Sequence, residues 1–260
     1  MEAVFLHANG FNALTYRAIL GRVGQERRIL ALDQRGHGRT TLAWKAAGRK
    51  TWLDLRDDLL AVLAELDLGR VVLAGHSMGG TVALFAGADA PERARSLVLL
   101  DPVVIADPML PGPGELDRSG MVEAAGRRRS VFPSRATAMA AYRGRGAFRT
   151  WPQAMLADYA EAGFIDLPEG GVRLACDPAW EASNYAAQRH DTLAAFRRSL
   201  CPIRILKAER DSTCRLGVHA DELAAAGRIV IETVPGTSHF LPMERPDLAQ
   251  AALLEAIGRP

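Results

Sequence analysis

Gly75-His76-Ser77-Met78-Gly79 sets a serine between two glycines, after the apolar run Val71-Val72-Leu73-Ala74 and before the apolar segment that holds Val82 and Phe85. A strand that turns sharply into a helix needs glycine wherever a side chain would strike neighbouring backbone. Such a turn lifts a serine hydroxyl above the sheet and sets it at a helix N-terminus, where developing negative charge is favoured. Ser77 is therefore the candidate nucleophile. A serine hydroxyl needs a base, and six histidines are available: His7, His37, His76, His190, His219 and His239. His239 lies in Pro235-Gly236-Thr237-Ser238-His239-Phe240, a turn just after the apolar run Ile229–Glu232, and is the preferred base. His219 sits in a helical segment close behind the candidate acid. For that acid, Asp211 is preferred, because it follows the run Ile203–Leu206 and leaves room for one helix and one strand before His239. Asp101, at the end of Val98-Leu99-Leu100-Asp101, and Glu209 are rivals. A tetrahedral intermediate needs two donors. Those expected are the backbone N–H groups of Met78 and Asn9, the latter in His7-Ala8-Asn9-Gly10-Phe11.

Positioning these groups requires a sheet. Six short apolar runs read as strands: Val4–Leu6, Arg28–Leu32, Val71–Ala74, Ser96–Leu100, Ile203–Leu206 and Ile229–Glu232. Continuous apolar runs suit strands covered on both faces, and their alternation with helical segments implies a mostly parallel sheet. The spacing predicts a helix over Thr51–Leu66, another from Ser77 that stops before Pro91, and a last one after Pro246. Between about 106 and 200 the rhythm changes to several helices and a Gly170-Gly171 turn, with no clear sheet strand. That length is too great for a structureless loop. The fold class is thus α/β, a mostly parallel sheet flanked by helices with an inserted helical cap. The core is assigned to 1–105 and 200–260, the cap to 106–199.

The balance of 32 basic against 30 acidic residues, net +2, argues against nucleic acid as the main partner. No apolar stretch is long enough to span a bilayer, and the first residues do not read as a signal peptide. Three cysteines, Cys176, Cys201 and Cys214, cannot all pair with one another, which favours a reducing, cytoplasmic compartment. No His/Cys/Asp cluster has convincing zinc-ligand spacing. The expectation is an enzyme with a small-molecule substrate, no metal and no cofactor. The sequence does not define an oligomeric state.

Together, His7-Ala8-Asn9-Gly10-Phe11, Asp33-Gln34-Arg35-Gly36-His37-Gly38-Arg39-Thr40, Gly75–Gly80, Ala90-Pro91-Glu92-Arg93 and Gly236–Phe240 resemble the α/β-hydrolase fold superfamily over essentially the whole chain. The resemblance implies the chain order serine, acid, histidine, a cofactor-free triad, and a cap that shapes the pocket. It also implies that Asp33–Thr40 is a structural loop. Relatives that act as dehalogenases or epoxide hydrolases carry an aspartate where this chain has Ser77. Three departures stand out. Ala8 replaces the usual glycine of the oxyanion loop, and Ala208 the usual glycine before the acid. The chain also begins almost at the oxyanion strand, so the sheet is expected to have a shortened edge.

The leading functional reading is hydrolysis of a carboxylic ester or related acyl compound by Ser77, His239 and Asp211. The alternatives are carbon–carbon bond hydrolysis, lactone opening or a lyase step with the same triad, and a non-catalytic ligand-binding protein on the same scaffold. Between Glu123 and Asp158 there is no acid but seven arginines, Arg127, Arg128, Arg129, Arg135, Arg143, Arg145 and Arg149. They are either a solvated surface or, in part, an entrance that favours anionic substrates. Tyr142, Trp151, Tyr159, Trp180 and Tyr185 are expected in the cap core, with one or two lining the pocket.

Overall fold

In the computed structural model, which describes residues 1–105 and 120–259, the six apolar runs form one parallel sheet. Its strands are β1 (Ala3–Leu6), β2 (Ile29–Leu32), β3 (Val71–His76), β4 (Ala94–Leu100), β5 (Ile203–Ala208) and β6 (Ile229–Val234), in the order β6-β5-β4-β3-β1-β2. Among the described residues β2 is the edge beside β1.

Side chains alternate between two cores, as the pleat requires. Phe5, Val72, Ala74, Val98, Leu100 and Leu206 face one way, against α1 (Arg17–Glu26) and, at the far end of the chain, the C-terminal helix Pro246–Gly258. Leu6, Leu73, Leu97, Leu99, Ile203 and Ile205 face the other way, against α2 (Leu53–Glu65) and α3 (Met78–Asp89). Helix α2 buries Leu55, Leu59 and Leu63, one stripe at i, i+4 and i+8, while Leu66 lies beyond the helix and is exposed. Helix α3 is buried from Met78 to Ala88 and ends before Pro91. Its composition follows: only small or apolar residues fit a helix covered on every side. At Gly87 a Cβ would press on Leu97.

The segment between β4 and β5 departs from expectation. It contains the helices α4 (Met121–Gly126), α5 (Arg135–Tyr142), α6 (Gln153–Gly163), α7 (Pro178–Ala186) and α8 (Thr192–Arg198). It also holds a three-stranded antiparallel sheet, with Val172–Leu174 between Val131–Phe132 and Phe164–Asp166. These strands have two or three residues each, too few for alternation to register in the sequence. Gly170 and Gly171, both at positive φ, make the hairpin turn, closed by Leu167 N–H to the Gly171 carbonyl at 3.1 Å. The expected cap start at 106 lies outside the described residues. Tyr142 stacks on Phe148 with centroids 4.9 Å apart, and Trp151 meets Phe11 of the core edge-on at 5.0 Å. The remaining helices are α9 (Ala220–Ala225), α10 (Leu241–Glu244) and α11 (Pro246–Gly258).

Candidate active site

Strand β3 runs into α3 through Ser77, whose φ of 55° and ψ of −122° are strained for a residue with a side chain. The strain is held in place by its surroundings. Ser77 N–H donates to the Leu100 carbonyl at 3.0 Å. A Cβ on Gly75 would overlap the backbone of Gly79, and one on Gly79 would overlap the carbonyls of Leu6 and His7. The two flanking glycines are thus demanded by close backbone approach.

His239 projects from the turn after β6. Gly236, at φ 75°, opens that turn, and Glu244 of α10 accepts from Ser238 N–H at 2.7 Å and Ser238 Oγ at 2.8 Å. The imidazole lies 3.0 Å from Ser77 Oγ through Nε2 and 2.7 Å from Asp101 Oδ2 through Nδ1. A carboxylate only accepts, so Nδ1–H is the donor to Asp101. This leaves Nε2 to take the Ser77 proton.

The acid beside His239 is therefore Asp101, and the expectation for Asp211 is corrected. Asp211 is exposed and makes no contact with His239. The chain after β5 turns at Asp211, φ 52°, and sends the next two residues inward instead. Ser212 Oγ donates to Asp101 Oδ1 at 2.6 Å, joined there by Ala208 N–H at 2.9 Å. Thr213 N–H donates to Oδ2 at 3.0 Å, and Thr213 Oγ1 lies 3.2 Å from His239 Nδ1. Asp101 is fully buried, and burial alone would raise its carboxyl. The bonds from His239, Ser212 and Ala208 outweigh burial and hold it below the usual carboxylate range. Sequence reasoning did not find Ser212 and Thr213. The only signal was a pair of hydroxyl residues directly after an acid at a strand end.

The two residues expected to supply oxyanion donors flank Ser77 in different ways. Asn9 lines the same cavity as Ser77 and His239, and Met78 is the first residue of α3. Among the described residues, neither backbone N–H has an acceptor within the protein. The Asn9 side chain is engaged elsewhere, donating to the Glu181 carbonyl at 3.1 Å and accepting from Asn184 Nδ2 at 2.9 Å.

Neutral histidines support this arrangement from behind. His76 Nε2–H donates to the His239 carbonyl at 2.8 Å, so its Nδ1 accepts from the Tyr16 hydroxyl at 2.7 Å. That hydroxyl in turn accepts from Ala8 N–H at 3.1 Å. One chain of bonds thus ties the Asn9 loop, the serine turn and the histidine turn. Burial pushes His76 down to about 3, which keeps the ring neutral, and the His239 carbonyl then sets its tautomer. His37, held well below its ordinary value by burial, accepts from Gly10 N–H at 3.0 Å. The Asp33–Thr40 loop therefore supports Gly10 and stays clear of Ser77. No sequence signal marked Tyr16.

The profile of the alpha/beta hydrolase family matches residues 3–252. The chain belongs to this family. A 2-(acetamidomethylene)succinate hydrolase of Mesorhizobium japonicum is 25% identical over 254 residues, covering 98% of this chain and 87% of that protein. An esterase of Mycobacterium tuberculosis is 37% identical over 100 residues, 38% of this chain and 32% of its own length. Among solved structures, an E-2-(acetamidomethylene)succinate hydrolase superposes with a TM-score of 0.76 at 23% identity, covering 99% of this chain and 91% of the other. That likeness concerns the fold.

The hydrolase has a cavity of about 550 Å³ above Ser77 and His239. Its wall is mainly apolar, with Phe11, Val103, Ala125, Phe148 and Phe240. Tyr142 and Tyr185 line it, as expected of one or two of the aromatic residues, and Trp180 is fully buried. Arg128 of the same wall is ion-paired with the buried Glu181 and donates to Tyr142 Oη at 3.3 Å. Among the described residues, no cluster of His, Cys, Asp and Glu could hold a metal ion, and no helix is long and apolar enough to cross a membrane.

Proposed function

We propose that this alpha/beta hydrolase cleaves carboxylic esters or related acyl compounds, with Ser77 as nucleophile, His239 as base and Asp101 as acid. The observation that carries the reading is the unbroken hydrogen-bonded series from Ser77 Oγ through His239 to Asp101. His239 takes the Ser77 proton as Oγ attacks the carbonyl carbon. Asp101 holds the imidazolium that forms and remains ionised. The developing oxyanion is received by the N–H groups of Asn9 and Met78. His239 returns its proton to the leaving oxygen, and water, deprotonated by the same imidazole, releases the acid and regenerates Ser77. We read the 121–199 segment as a cap whose α4, α5 and α7 form the far wall of the cavity, and three buried, unpaired cysteines suit a cytoplasmic setting.

Acyl–nitrogen cleavage is the second reading. It is favoured by the relative matched over 98% of the chain, whose named substrate carries an acetamido group. Both readings use the same attack, and an aryl ester assayed beside its anilide separates them. The shared test is a fluorophosphonate probe. It should label Ser77, and Ser77→Ala should lose labelling together with about 10⁶-fold of the hydrolytic rate. Labelling or hydrolysis that survives in Ser77→Ala overturns the assignment.

A further inference from the structure

The charges of the cavity wall do not balance. Among its described lining residues are three arginines, Arg128, Arg145 and Arg215, and one acid, Glu181. Arg128 and Glu181 neutralise each other. Arg145 and Arg215 have no acidic partner among the described residues, and both are exposed to solvent.

The other arginines of the 127–149 stretch behave differently. Arg127 pairs with Glu123 and Arg135 with Asp166, while Arg129 lies over the Phe132 ring at 4.6 Å. Arg143 and Arg149 do not line the cavity. Within that stretch, then, only Arg145 brings an unneutralised charge to the cavity. Arg215 comes from elsewhere, the chain after β5. There Cys214–Arg215 pairs with Val104–Ile105, and the Arg215 Nε reaches the Ser212 carbonyl at 3.4 Å. Two cations from separate elements thus border one apolar space that opens on Ser77. Low-dielectric walls focus the field of such charges toward the space between them. A guanidinium also offers a planar fork that fits a carboxylate with two parallel bonds.

We infer that the substrate is an acyl compound carrying a second, anionic carboxylate, which Arg145 and Arg215 receive while an apolar arm fills the cavity between them and Ser77. This rests on the Ser77 hydrolase reading and names the substrate class within it.

The test uses two esters with the same reacting group, mono-para-nitrophenyl glutarate and para-nitrophenyl pentanoate, which differ by a carboxylate in place of a methyl. The wild type should favour the glutarate ester in kcat/KM by about ten- to a hundredfold, the range of a hydrogen bond to a charged group. The ratio should fall toward one in the Arg145→Gln/Arg215→Gln double variant and persist largely in the Lys/Lys double variant. It should also shrink at 1 M salt, where the Debye length is about 3 Å. A wild-type ratio at or below one, or the same ratio in wild type and the Gln/Gln variant, overturns the inference. A second readout needs no turnover. Glutarate, but not glutaramide, should slow fluorophosphonate labelling of Ser77, and the Gln/Gln variant should lose that protection. If neither ester is cleaved, the ester reading fails, and the protection assay alone decides on the anion.

Discussion

The turns that follow β4 and β5 begin alike and end in opposite roles. Each opens a parallel strand toward the same cavity, and each places an aspartate at positive φ, 40° for Asp101 and 52° for Asp211. Asp101 is fully buried, with its two oxygens filled by donors from four residues, one of them His239. Asp211 is exposed, and its turn contributes the donors Ser212 and Thr213. A buried carboxylate is tolerable only with its lone pairs satisfied. The carboxylate that is buried beside His239 is therefore the one that the neighbouring loop can solvate with protein groups. That carboxylate and its cradle are divided between adjacent strands.

The largest test of this division is Asp101→Asn, which should lower kcat by about 10⁴-fold by disturbing the His239 tautomer, as measured by steady-state hydrolysis of an aryl ester. A loss of less than tenfold would mean that another acid serves His239.

Acid should affect the two kinds of buried group in windows that begin at different pH. His76 is held down at about 3 and His190 at about 4 by burial, against about 6.5 in an unfolded chain. The unfolded state therefore binds more protons between those values. The stability that depends on neutral histidines is complete above pH 6.5 and is lost as pH falls toward 3, by up to about 1.4 kcal/mol per unit for each histidine. Asp101, with a depressed value, gives up its contribution only below about pH 4. Urea midpoints should drop steadily from pH 7 to pH 5, well before Asp101 titrates. A flat profile over that range contradicts the neutral assignment of the supporting histidines.

Ser212→Ala removes one donor from a buried carboxylate, a loss of about 1.5–3 kcal/mol for a bond to a charged group. kcat should fall by about tenfold or more, and the acidic limb of the kcat/KM profile should move, which a change in stability alone would not cause. Ser212→Thr should recover part of the loss. Asp211→Asn is the smallest case, with activity expected within about twofold of the wild type. A loss as large as that of Asp101→Asn would reverse the comparison.

These two loops also mark where the sequence stopped being readable. All six sheet strands were legible, because buried parallel strands are continuous apolar runs bounded by turns. That Ser77 and His239 lie together was legible, because Gly75, Gly79 and Gly236 mark the turns that carry them. The carboxylate beside His239 was not, since Asp101 and Asp211 both top a strand, and what separates them is donors brought from another strand. The short strands at Val131–Phe132, Phe164–Asp166 and Val172–Leu174 were hidden by their length. The arginine stretch was visible as a charge bias, but its division into paired and unpaired members depends on contacts with Glu181 and Asp166.

Helix α7 bears on how substrate reaches Ser77. Its Trp180 indole donates to the Arg35 carbonyl at 2.8 Å, and its Asn184 carbonyl accepts from the Trp52 indole at 2.9 Å. Asn9 both donates to and accepts from it, and Arg49 lies over the Trp180 ring at 4.0 Å. Swinging α7 outward would break all of these at once and pull on the loop that carries the Asn9 N–H. Helix α7 is therefore tied to the core through Arg35, Arg49, Trp52 and Asn9 together, so the cavity wall that carries Glu181 and the loop that carries Asn9 are held as one piece.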